Sequence, residues 1–357
     1  MTTTTTTTTT TVKAWGAASA GAKLAPMTIE RRAPGAHDVV LEVLFCGVCH
    51  SDIHQARDEW LGATFPMVPG HEIVGRVVRV GGDVTKFAVG DVAGIGCMVD
   101  SCRVCDACVA GDEHFCEKDN APTYNGTEMD RKTPTQGGYS SQIVVDEHFA
   151  VRVPAGLDPA AAAPLLCAGI TTYSPLREWN VKAGDRVGVV GLGGLGHMAV
   201  KLAVSMGAVV TVFSTSRNKE ADAMRLGATG FVVTTEPGAF APLKHRFDLI
   251  LDTVSAVHDY NALLQTVRPR GTMVVVGAPS EAVPVHAFSL IIGNRRLVGS
   301  QIGGIAETQE MLDHCAAHGV ASDVEIIPIE QINEAWERVL KSDVRYRFVI
   351  DLASLKD

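Results

Sequence analysis

The sequence predicts an α/β protein of two domains, an antiparallel, barrel-like β domain and a doubly wound parallel-sheet domain. Three observations carry the expectation. At 357 residues the chain exceeds one ordinary core. Up to about residue 165, short runs of alternating apolar residues are broken by Gly and Pro. From about 166 to 302, apolar runs alternate with helical patterns, the texture of βαβ units.

Met1 and the run Thr2 to Thr11 have neither a positive n-region nor an apolar h-region, so no signal peptide is expected. The run reads as a frayed low-complexity tail leading into a strand near "VKAWGAA". "HDVVLEVLFCG", "EIVGRVVRVGGDVTKFAVGDVAGIG" and "YSSQIVVDEHFAVRVP" supply the strands of the first domain. "RVGVVGLG", "GAVVTVFS", "TGFVVT", "FDLILDTV", "GTMVVVGA" and "RRLVGSQIG" are the six buried strands of the second. The tail "SDVEIIPIEQINEAWERVLKSDVRYRFVIDL" reads as strand, helix and strand returning to the first domain. The expected domains are therefore 1–165 with 303–357, and 166–302.

Hydrophobic residues make up 46% and charged residues 20%, the composition of a soluble globular protein. A formal charge of −9 without a basic run argues against nucleic acid or anionic membrane as partners. The apolar stretch 187–213 contains His197, Lys201 and several glycines, so it reads as strand, turn, helix and strand rather than as a membrane span. Without a secretory signal the expected location is the cytoplasm, where nine cysteines point to metal rather than to disulfides.

"CRVCDACVAGDEHFC" places Cys102, Cys105, Cys108 and Cys116 at C-x2-C-x2-C-x7-C in a lobe of about residues 97–117. Four thiolates on short loops suit a closed, structural Zn²⁺ site. An iron–sulfur cluster uses the same ligands at similar spacings and stays open at this point.

"FCGVCHSDIH", residues 45–54, contains a C-x-x-C at Cys46 and Cys49. A redox dithiol needs a helix N-terminus to lower its thiol pKa, and here the pair follows a strand and runs on into further ligand-type residues. His71 and Glu72 in "PGHEIVG" and Cys167 in "PLLCAGITTYS" are dispersed donors. Spacing alone does not join them. Taken singly, each reads as a buried thiol or a core histidine.

"GVCHSD", "PMVPGHEIVG", the four-cysteine lobe, "LLCAGITTY", "GLGGLGH" and "DVRYRFVID" follow one another along essentially the whole chain. In that order they resemble zinc-dependent medium-chain alcohol dehydrogenases. Within these the chain is most similar to the NADP-dependent cinnamyl alcohol dehydrogenase branch and its bacterial aldehyde-reductase relatives. The resemblance implies a GroES-like catalytic domain joined to a Rossmann cofactor domain. It implies two zinc ions per chain, with Cys49, His71 and Cys167 at the catalytic one and Glu72 beside it. Cys₂His is the known catalytic donor set of alcohol dehydrogenases. Asp52 matches the carboxylate that orients the ligating histidine. Ser51 and His54 match the proton relay, and His50 a contact to the cofactor pyrophosphate. Cys46 is then a buried bystander.

Gly191, Gly193 and Gly196 form G-x-G-x-x-G between a strand and a helix, the arrangement that admits a pyrophosphate to the helix N-terminus. An NAD enzyme carries an acid about 20 residues on. This chain has Ser214, Thr215, Ser216, Arg217 and Lys219 instead, hydroxyls and cations that suit the 2′-phosphate of NADP(H). The resemblance adds Thr171, Gly194, Leu195 and Arg347 to the cofactor set. It also implies a cleft lined by Trp60, Cys97, Met98, Tyr124 and Ile302, sized for aromatic or medium-chain aldehydes. Gln301 departs from the bulky apolar residue of the plant enzymes, which favours a broad-range aldehyde reductase over one for lignin precursors. Polyol dehydrogenation, C=C reduction and a zinc- and nucleotide-binding sensor are the alternatives. The family implies a homodimer through the last strands of the cofactor sheet.

Overall fold

The computed structural model describes residues 9–356. Met1 to Thr8, most of the threonine run, lie outside the described residues. The chain divides into two compact units, one of residues up to Cys167 together with those from Gly303 onward, the other Ala168–Ile302. No helix among the described residues is long and apolar enough to cross a membrane.

The first unit is organised by the strand Asp38–Gly47, which is buried along most of its length, Val39, Val40, Leu41 and Val43 included. It pairs antiparallel with Ile73–Val80, Gln142–Asp146 and Arg347–Asp351. Val92–Ile95 and Val151–Arg152 extend the sheet on one side. On the other side Val324–Pro328 pairs parallel with Arg347–Asp351, departing from the otherwise antiparallel pattern. The helix Ile332–Leu340 lies between these two strands in sequence and supplies the crossover that a parallel pair requires. The sheet thus brings residues near 46, 72 and 348 side by side, although they are distant in sequence.

A hairpin of Thr10–Gly16 with Ala25–Arg31 flanks this sheet. Its last residue, Arg31, is buried and donates to the carbonyl oxygens of Gln142, Gln136 and Gly137 and to Ser140 Oγ at 2.6–2.9 Å. Burial pushes its guanidinium down to about 9, which leaves it charged at neutral pH. Arg31 therefore staples the segment 136–142, which carries Tyr139 toward the site described below. Arg31→Leu is expected to cost about 3 kcal/mol or more, because it strands several buried acceptors at once. A shift in the urea midpoint equivalent to less than about 1 kcal/mol would contradict this role.

The second unit is a six-stranded, all-parallel sheet. Its order is Gly230–Val233, Val209–Ser214, Arg186–Val190, Phe247–Asp252, Val267–Val275 and Arg296–Gly299. Numbered along the chain this is 3-2-1-4-5-6, with the reversal between Arg186–Val190 and Phe247–Asp252. Val187, Val189 and Ile250 are wholly buried, as expected for central strands covered on both faces. Phe213, Phe247, Leu263, Leu264 and Met273 continue the core on one side of the sheet.

Candidate active site

The strand Asp38–Gly47 ends beside a short helix, His50–Ala56, whose N-cap is Cys49. This thiol does stand at a helix N-terminus, contrary to the sequence expectation. Burial pushes the Cys46 thiol up, and that disfavours a redox dithiol instead. Cys49, His71, Glu72 and Cys167 present ligand atoms that all lie within 4.8 Å of one another, and all four residues are buried. Cys49 Sγ and Cys167 Sγ are 3.9 Å apart. Two thiolates on tetrahedral zinc with arms of about 2.3 Å would be about 3.8 Å apart. The donor set therefore fits one zinc ion.

Asp52, wholly buried, organises this cluster. Its Oδ1 lies 3.0 Å from His71 Nδ1 and accepts the Gly70 amide at 3.1 Å. Its Oδ2 accepts the Cys49 amide at 2.9 Å and the Tyr139 hydroxyl at 3.3 Å. With Nδ1 facing a carboxylate, His71 keeps its proton there and leaves Nε2 as a lone pair for metal. Tyr124, buried, stacks on the His71 ring at 5.7 Å. Gly47 has no Cβ because Glu72 Oε2 would lie 1.9 Å from it.

Glu72 pairs through Oε1 with Arg347, which is also buried. Burial pushes the Glu72 carboxyl up to about 7 against the pull of that guanidinium. Its second oxygen, Oε2, is buried without a hydrogen-bond partner. Arg347, expected at the cofactor phosphates, is thus held at the metal cluster by an ion pair. Sequence reading missed that pair, which joins residues 275 positions apart. The register of Ile350 with Cys46, and of Cys46 with Ile73, is what brings their strands together.

Along the next helix, Ser51 Oγ lies 3.6 Å from Cys49 Sγ. His54 stacks on His50 at 6.1 Å and on Trp60 at 5.1 Å. His54 Nδ1 also pairs with Glu59, a residue absent from the expected set. Trp60 is 54% exposed, whereas Met98 is buried in a strand pairing with Ala121–Pro122. Cys97 is half-buried, its thiol 3.9 Å from the Leu166 carbonyl oxygen. Cys46 is wholly buried.

In the lobe, the four sulfurs of Cys102, Cys105, Cys108 and Cys116 also lie within 4.8 Å of one another, with Cys102 and Cys108 at 3.9 Å. That space fits a single tetrahedral ion, whereas the thiolates of an iron–sulfur cluster radiate from several irons. Backbone amides face the sulfurs. Those of Val104 and Cys105 push the Cys102 thiol down to about 6, which favours the thiolate a metal needs. Between the ligands, Glu113 accepts the Ile305 amide at 3.1 Å, tying the lobe to the first turn of the helix Ile305–His318.

In the second unit the three glycines have three separate reasons. Gly191 has φ of +89°, and a Cβ there would meet Val254 at 2.7 Å. Gly196 lies where a Cβ would meet the Gly191 carbonyl oxygen at 2.2 Å, so helix and strand pack closely. Gly193 is exposed with nothing within 4 Å of a would-be Cβ, which leaves the approach to the backbone open. Gly193 caps the helix Gly194–Ser205, so the amides around Leu195 are aimed at that opening. This is a fit for a dinucleotide pyrophosphate.

Ser214, nearly buried, ends the second strand, and Thr215 and Ser216 follow it. Lys219 Nζ donates to the Leu192 carbonyl oxygen at 3.0 Å, which places a cation at the glycine turn. Arg217 bonds Glu220 at 3.2 Å and Glu236 at 2.5 Å. The stretch after the second strand has no acid at its start, but the fold supplies Glu236 from beyond the third. Thr171 is buried in the helix Ala168–Glu178, and Ile302 ends the unit with φ of +35°.

The sequence profile of the alcohol dehydrogenase GroES-like domain matches residues 35–155, and that of the zinc-binding dehydrogenases matches 194–317. The NADP-dependent alcohol dehydrogenase C 1 of Mycolicibacterium smegmatis is 55% identical over 97% of this chain and 99% of its own. The chain belongs to the zinc-binding alcohol dehydrogenase family. The aldehyde reductase YahK of Escherichia coli is 52% identical over 97% of this chain and 99% of its own. A cinnamyl alcohol dehydrogenase structure from Sorghum bicolor superposes with a TM-score of 0.94 at 46% identity, covering 96% of this chain and 98% of that one. Membership in the family makes the GroES-like and Rossmann folds, and zinc as the metal, properties of this chain.

Proposed function

We propose that this dehydrogenase interconverts primary alcohols and aldehydes with NADP(H), and that it works chiefly as a reductase of aromatic and medium-chain aldehydes. The observation that supports it best is the convergence of Cys49, His71 and Cys167, with His71 held by Asp52 in the tautomer a metal ligand needs. The relatives named for NADP dependence and aldehyde reduction point the same way. When bound, zinc supplies a Lewis acid for the substrate oxygen and NADP(H) the hydride.

Cys49, His71 and Cys167 hold the metal in this reading, and Asp52 fixes the imidazole. Ser51 would hold and pass on the proton of the substrate oxygen. His54, backed by Glu59, exchanges that proton with solvent. Glu72 and Arg347 balance charge behind the metal. The glycine turn holds the pyrophosphate, and Ser214, Thr215, Ser216, Arg217 and Lys219 the ribose 2′-phosphate, with the Lys219 cation lying close to the glycine turn. His50 and Thr171 flank the cofactor. Trp60, Cys97, Met98, Tyr124 and Ile302 shape the substrate cleft. The lobe of Cys102, Cys105, Cys108 and Cys116 holds a structural zinc.

Nine unpaired thiols fit a reducing compartment such as the cytoplasm. The edge strand Arg296–Gly299, with Phe288, Ile291 and Ile292 exposed nearby in sequence, fits a homodimer.

The test follows NADPH consumption with cinnamaldehyde, before and after dialysis against a strong chelator, with NADH in parallel. Turnover that prefers NADPH and is lost with the metal is the expected result. Folded, zinc-loaded protein that turns over neither cofactor would overturn the aromatic-aldehyde reading.

A further inference from the structure

The parallel sheet reverses its order between Arg186–Val190 and Phe247–Asp252, and ligands of such sheets bind in the crevice beyond that point. Val190 and Asp252 are in register there, each the last residue of its strand. Gly191 follows Val190, and the loop 253–258 follows Asp252. That loop packs onto the glycine turn. Thr253 donates to the Val190 carbonyl oxygen through its amide, at 3.1 Å, and its hydroxyl, at 2.8 Å. The Val254 side chain fills the space beside Gly191, and its carbonyl would block any Cβ at Gly277.

Asp252 is wholly buried. Its Oδ1 accepts the Val254 amide at 3.2 Å. Its Oδ2 has no hydrogen-bond partner, but it lies 3.1 Å from His258 Nε2, at ion-pair distance. The other ring nitrogen, Nδ1, is 2.8 Å from the Ala256 carbonyl oxygen. Both nitrogens therefore face acceptors. A neutral imidazole has one N–H and one lone pair, and would turn that lone pair against an oxygen. Only the imidazolium suits both contacts, and only it balances the buried carboxylate.

We infer that Asp252 and His258 form a positioning ion pair that holds the loop 253–258 as one wall of the dinucleotide crevice, so that cofactor affinity depends on the protonation of His258. The inference rests on the cofactor reading above. The charged or titratable groups facing His258 are Asp252, Asp259 and Tyr260, whose ring meets the imidazole edge-on at 5.0 Å. Burial opposes the charged imidazole, but Asp252, the Ala256 carbonyl and Asp259 outweigh it and raise its pKa above the usual value. The pair is therefore intact at and below neutral pH and is lost as pH rises through that raised pKa.

The experiment titrates NADPH into the zinc-loaded enzyme by fluorescence between pH 6.5 and 9.5. Wild type is expected to bind with constant Kd near neutrality and more weakly at alkaline pH. His258→Gln should raise Kd by about tenfold at neutral pH and flatten the profile. Asp252→Asn combined with His258→Gln strands no charge and should recover most of the affinity, still without the alkaline fall. A His258→Gln enzyme with wild-type Kd and wild-type pH profile overturns the inference, as does a double variant weaker than the single one. Wild-type enzyme that binds no NADPH at any pH would instead overturn the cofactor reading itself, which separates the two failures.

Discussion

Cys49→Ala is expected to lower kcat/KM for aldehyde reduction by about 10³-fold or more and to remove one of two zinc ions per chain. A Lewis acid contributes several kcal/mol to stabilising charge on the substrate oxygen, and each 1.36 kcal/mol is a factor of ten in rate. With one thiolate gone, His71 and Cys167 remain with only Glu72, which Arg347 engages, beside them. The four-cysteine lobe takes its ligands from residues 102–116 alone and should stay loaded. Zinc content and steady-state rates on the same preparation check this. Two zinc ions per chain with undiminished turnover would remove Cys49 from the metal site.

Ser214→Asp is expected to reverse the cofactor preference from NADPH to NADH. Charge-assisted hydrogen bonds contribute about 1.5–3 kcal/mol each. Two of them to a 2′-phosphate correspond to a wild-type preference on the order of 10²–10⁴. Ser214 ends the second strand, and the Ser216 amide already points at its Oγ from 3.3 Å. A carboxylate there takes that amide, repels a 2′-phosphate and accepts the ribose hydroxyls of NADH. The ratio of kcat/KM for the two cofactors is the measurement. A variant that still favours NADPH would shift the discrimination to Lys219 or to Arg217, which Glu220 and Glu236 already engage.

The parallel sheet was legible because each of its strands is a short apolar run between helical patterns, and both faces of such a sheet are buried. The glycine turn was legible because Gly191, Gly193 and Gly196 fall within six consecutive residues between a strand and a helix. The four-cysteine lobe was legible because its ligands fall within fifteen consecutive residues. Cys49, His71 and Cys167 were different. Read singly, each resembled an ordinary buried residue, and only the order of six motifs linked them.

Glu59, Glu236 and the pairing of Arg347 with Glu72 escaped the sequence reading for the same reason. Glu59 and Glu236 belong to no motif, Glu72 and Arg347 lie in two different ones, and each acquires its partner through a turn or a strand register. Tyr139 reaches Asp52 through a segment that Arg31 holds from another hairpin. Sequence by itself determined the elements, the metal-binding lobe and the phosphate-binding turn, because periodicity, turn chemistry and short ligand spacing are local. Tertiary structure alone decided which charges are buried and which partner each one meets, as at Asp52, Glu72 and Asp252. Burial and pairing depend on groups far apart in the chain, and sequence spacing does not encode those distances.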